Sequence, residues 1–153
     1  MTHSRKIEQG IVQLLIDCGL PGVVVDHFDN TTSTSGYPQT IVKVESNRVE
    51  DSEPSDHMFE SQVSIEYRND GAAQVDLDDD SAIIEAALSD ESALQSAFNY
   101  ASPYIPAEDN RAVTGVHFHQ ARGVSSSNEF EGTIAQVDFN TTFVTQAVID
   151  NPQ

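Results

Sequence analysis

The chain has 153 residues, with 25 acidic against 7 basic side chains and a net charge of −18. That is the size of one domain, spanning 1–153, and its charge argues against free nucleic acid and anionic membranes as ligands, since gripping phosphate needs Lys and Arg. One cysteine, Cys18, excludes an intrachain disulfide, and no window approaches the length of a membrane span.

The apolar share of 38% is low for a globular domain, which suggests much loop or surfaces buried only on assembly. The start, MTHSRKIEQ, is charged and leads into a helix, so no signal peptide is expected. Ile7, Ile11, Leu14, Leu15 and Cys18 form one helical stripe, which places Cys18 as a small buried hydrophobe. Gly19 ends that helix and Pro21 prevents its continuation. Gly10 inside it costs roughly 1 kcal/mol relative to Ala, so packing must compensate.

Val23 to Val25 read as a first strand, residues 29–38 as a loop, and Thr40 to Val44 as a second strand. Residues 45–56 are polar and acidic and read as a long hairpin loop or an arm. Phe59, Ser61, Val63, Ile65 and Tyr67 then alternate with polar neighbours. A period of two predicts a strand with one face on a core and one on water, as in antiparallel sheets.

Residues 69–78 read as a second acidic loop. Two helical sets follow, Ile84/Ala87/Leu88 and Leu94/Ala97/Phe98/Ala101, out of phase by about one residue. Ser89-Asp90 lies between them, and such residues favour caps over helix interiors, so two short helices or a kink are expected there. The second helix is expected to end before Ser102-Pro103. Val113 to Ala121 and Thr133 to Val148 read as the last two strands, with GVSSSNEFEG, 123–132, as the loop between them. The order α-β-β-β-α-β-β, without a βαβ repeat, predicts an α+β fold with a mostly antiparallel sheet of about five strands.

Several constellations suggest chemistry. Asp76, Asp78 and Asp80 alternate like the start of a calcium loop, but the sixth position is Ser81 and the twelfth Ala87, so the sharp turn and the closing Glu are missing. A helix cap at Asp79 or Asp80 fits better. From Asn69 to Asn110 there is no Lys or Arg, so local pairing leaves a surplus of negative charge. The acidic residues Glu50, Asp51, Glu53, Asp56, Asp76, Asp78 and Asp79 are therefore candidates for a surface facing a partner or a lumen. The charge also fits solubility or a saline medium. His117 and His119, two apart on a strand, share a face and can begin a zinc or iron site if His57 or Glu131 supplies a third ligand; exposed polar residues are the plainer reading. Ser125 to Ser127 lack a nucleophile-elbow pattern.

The opening amphipathic helix Ile7 to Cys18, the valine strand, the Tyr37-Pro38 turn, the acidic loop, the alternating strand Phe59 to Arg68, the central helix Asp80 to Tyr100 and the final strand pair together resemble the tail terminator, or tail completion, proteins of tailed bacteriophages. The likeness is one of element order and size over nearly the whole chain, and no short motif carries it. It implies a structural virion protein in the tail or neck, assembled in the host cytoplasm, with no catalysis and no cofactor. The subunits would form a ring, a hexamer in that family, that caps the tail tube, stops its growth and docks to neck or head-tail connector proteins while DNA passes. Another neck, head-completion or tail-tube component, or a metal enzyme using His117 and His119, is the alternative.

Overall fold

The computed structural model describes residues 3–26, 38–49, 58–70, 74–98, 112–131 and 134–150. In chain order the elements are α1 (His3–Asp17), β1 (Val23–Asp26), β2 (Gln39–Arg48), β3 (Met58–Asp70), α2 (Gln74–Ser89), α3 (Glu91–Phe98), β4 (Ala112–Glu131) and β5 (Ile134–Asp150). This is the α+β architecture expected. The strands form one five-stranded sheet in the order β1-β2-β3-β5-β4. Every pairing is antiparallel except that of β1 with β2.

The alternation on β3 decides which side is covered. Ser61, Val63, Ile65 and Tyr67 are buried, whereas Gln62 and Ser64 are exposed. The register carries that pattern sideways, because directly paired residues share a face. Val42 of β2 lies opposite Ile65, and Ile65 opposite Phe139 of β5. The three helices cover this apolar face, and Ile7, Ile11, Leu15, Ile84, Leu88, Leu94 and Phe98 meet it in a single core. At roughly 1.5–3 kcal/mol for each large side chain removed from water, the helical stripes contribute the main favourable term. The other face of the sheet carries polar and charged side chains, among them Lys43, Glu45, Gln62, Ser64 and Asn140, all exposed.

Gly10 earns its place by close approach. A Cβ there would sit 2.9 Å from the Ala97 carbonyl oxygen and 3.1 Å from the Phe98 ring. Its absence lets α1 lie directly against α3. At the far end of α1, Gly19 has a φ of 83°, the left-handed conformation that glycine adopts without steric cost. The Leu20 amide donates to the Leu15 carbonyl at 3.2 Å and the Gly19 amide to Ile16 at 3.0 Å, a Schellman closure with buried Leu20 as its apolar seal. The helix thus stops at Asp17 and Cys18 enters the turn. Cys18 is exposed, which corrects the expectation of a buried residue: the stripe ends at Leu15, before the chain turns away.

The break near Ser89 is real. The Asp90 carboxylate accepts a bond from the Ala93 amide at 3.1 Å, capping α3, and Ser89 Oγ bonds back to the Glu85 carbonyl at 2.8 Å. The acidic loop expected at 69–78 is mostly regular structure. β3 continues to Asp70 and α2 begins at Gln74. Asp79 and Asp80 therefore lie inside α2 and do not cap it. The other acidic loop is shortened, since β2 runs to Arg48 and the Val49 amide bonds to the Met58 carbonyl at 3.0 Å. Residues 50–57 fall outside the described residues, as do residues 99–111, where the helix end was expected. The loop expected at 123–132 is also overturned. β4 continues through the three serines to Glu131, with Ser125, Ser126 and Ser127 opposite Asn140, Phe139 and Asp138. Three register shifts along β4 disrupt the simple alternation that would have revealed it.

Side chains finish the strand ends that have no neighbour. β1 pairs with β2 only as far as Val42, and beyond it the Val44 amide donates to Glu8 of α1 at 3.0 Å. On the opposite edge, Gln95 of α3 donates to the Val116 carbonyl at 3.0 Å and accepts from the Phe118 amide at 2.7 Å.

Helix propensity alone makes Gly10→Ala stabilising by about 1 kcal/mol. The Ala97 contact reverses the sign, and a net loss of about 1–3 kcal/mol is expected in urea unfolding.

Candidate functional site

Two strand residues, one bulge and no cover produce the histidine pair. His117 lies opposite Gln146 of β5, and a register shift falls between Phe118 and Gln120, so His119 is the inserted residue. Val116 and Phe118 point into the core, which leaves both imidazoles on the solvent side and exposed. Their ring centroids are 4.6 Å apart with the planes at 79°. The structure thus brings together the two histidines singled out from the sequence. It joins no third ligand to them: among the described residues no group of three or more His, Cys, Asp or Glu side chains could hold a metal. His57 and the side chain of Glu131 lie outside the described residues.

The acidic candidates divide in the same way. Glu50, Asp51, Glu53 and Asp56 lie outside the described residues, as does the side chain of Asp76. Asp78 and Asp79 are exposed on α2, while Asp80, one residue on, is 5% exposed. Helical rotation separates them. Asp80 turns toward the sheet, where the Tyr67 hydroxyl donates to its Oδ2 and Asn69 Nδ2 donates to the Tyr67 oxygen at 3.0 Å. This polar link joins α2 to β3 inside the domain. Exposed Glu85, Asp90 and Glu91 extend the acidic surface begun by Asp78 and Asp79, and no Lys or Arg occurs from Gln74 to Phe98.

A second buried polar chain runs across the sheet beneath α1. His3 Nε2 bonds Thr145 Oγ1 at 2.7 Å, Thr145 meets Ser61 Oγ at 3.2 Å, and Ser61 meets Ser46 Oγ at 2.9 Å. The His3 ring stacks on Phe59 with centroids 4.2 Å apart. A histidine and two hydroxyls in line invite a nucleophilic reading, but Ser61 and Thr145 are both 0% exposed, so no substrate reaches them. Burial lowers the His3 pKa to about 4, and the imidazole is held neutral. Nothing local in the sequence announces either network; each depends on register and on which way a helix turns.

A hollow of about 410 Å³ on the open face lies beside the third register shift of β4, between Ala121 and Val124. Gln62, Ser64, Ser125, Asn140 and Thr142 line it. These amides and hydroxyls offer hydrogen bonds but neither an acid-base pair nor an activated nucleophile. Among the described residues no helix is long and apolar enough to cross a membrane.

Two outcomes test the buried networks. Tyr67→Phe strips Asp80 and Asn69 of a partner inside the domain, and a loss of about 1–3 kcal/mol is expected in denaturant unfolding. For His3, the unfolded chain binds a proton near pH 6.5 that the native state refuses until about pH 4. Stability from this residue therefore falls as pH drops through that window, by on the order of 2–3 kcal/mol. The pH-stability curve of His3→Gln should lack that component, seen as a shallower slope than the parent's between those limits.

Compared with models of protein families and with curated protein sequences, the chain matches none.

Proposed function

We propose that this chain is a structural virion subunit of the tail terminator kind. It builds a ring, a hexamer in that family, that ends the tail tube, docks to neck or connector proteins and lets DNA pass without holding it. The observation that carries this reading is the surface of α2 and α3. Asp78, Asp79, Glu85, Asp90 and Glu91 are all exposed there, and the segment contains no Lys or Arg. A wall of that composition repels phosphate within about 8 Å at physiological salt, enough to keep a duplex from adhering to it. The sheet supports the reading in a second way. One face lacks a helix cover among the described residues, and a subunit with a polar open face suits contacts made on assembly.

The ring makes a direct demand on the purified chain. Mass measurement and electron microscopy should find a closed annulus, alone or on addition of the tube protein, that stays a single layer. Long tubes formed by the chain alone would assign it to the tube instead. A chain that stays monomeric with its tube partner present would refute assembly. A triple replacement, Asp78→Lys, Asp79→Lys and Glu85→Lys, should leave the ring intact and make it retard duplex DNA at low salt, with binding lost by roughly 0.2 M salt as counterion release predicts.

A further inference from the structure

We propose that His117 and His119 form a two-imidazole chelate for a borderline divalent cation of the Cu²⁺, Ni²⁺ or Zn²⁺ class. The proposal is independent of the ring reading and rests on the geometry of the pair.

The spacing of the rings is that of two ligands on one ion. Imidazole nitrogen binds such metals at about 2.0–2.1 Å, which puts the metal about 3.2 Å from each ring centre and two cis rings about 4.5–5.2 Å apart. The observed separation is 4.6 Å. The strand supplies this distance through its period of two, and the bulge at His119 supplies the local bend that brings the rings edge to face. Both side chains are exposed, so rotation of the rings to bring a nitrogen of each onto one ion does not disturb the core, and water completes the coordination sphere.

The ligand type decides the class of ion. Neutral imidazole suits copper, nickel and zinc, whereas magnesium and calcium prefer oxygen donors. A chain of net charge −18 attracts any divalent cation weakly over its whole surface. The histidine pair adds selectivity to that background. Gln146, directly across from His117 on β5, is uncharged, so that position places no cation beside the metal.

Titration of the full chain, freed of any affinity tag, with Cu²⁺ tests the site by calorimetry and electron paramagnetic resonance. One ion per chain should bind above the background, with a spectrum showing nitrogen coordination. His117→Asn and His119→Asn should each weaken it by roughly tenfold or more, and the double variant should abolish it. Asp78→Asn with Asp79→Asn should leave it unchanged. The proposal is overturned if the double variant keeps the same stoichiometry and affinity, or if the parent binds Cu²⁺ no more tightly than Mg²⁺. Circular dichroism of the double variant should match the parent, since neither ring contributes to the core.

Discussion

The backbone of α1 rests on α3 where Gly10 faces the Ala97 carbonyl, and the spacing of the helical layer is set at that point. With α1 and α3 in contact, their stripes form one continuous apolar surface, and Ile7, Ile11, Leu94 and Phe98 reach the sheet together. A larger residue at position 10 would wedge the layer open above the middle of the core. Interiors packed like crystals do not absorb such a shift locally. The glycine costs helix propensity, and the burial it permits is several times larger.

One-sided cover divides the molecule into surfaces of different character. The outward side of α2 and α3 is acidic without a basic residue in the segment. The uncovered sheet face mixes signs, with Lys43 3.3 Å from Glu45 and Arg68 3.7 Å from Glu66. Exposed pairs of this kind add little stability, but they keep the sheet face closer to neutral than the helices. The outward side of α2 and α3 is thus the more strongly negative of the two.

Elements with an uninterrupted period were legible in the sequence. The alternation of β3 and the stripe of α1 follow from side chains alone, and the phase slip at Ser89-Asp90 located the joint between α2 and α3. Three kinds of feature were not legible. The serines of β4 have low strand preference, and bulges scramble their alternation, so a strand read as a loop; its partner β5 holds it in place through register. Asp79 and Asp80 looked like caps because aspartate favours caps over helix interiors, and the bond that Asp80 accepts from Tyr67 shows what holds it inside α2 instead. Cys18 continued the stripe by count, yet the Gly19 closure ended the helix first. At the candidate site, the shared side of His117 and His119 followed from strand period, whereas the distance between their rings required the bulge.

The carboxamide of Gln95 has the same paired donor and acceptor as a peptide unit, and it presents them to Val116 and Phe118 as a neighbouring chain would. At that place the sheet already possesses its next strand, one residue long and anchored in a helix. Lateral growth at these two groups is terminated from within the fold, so a polypeptide that lengthens the sheet along this border has to pair elsewhere on β4.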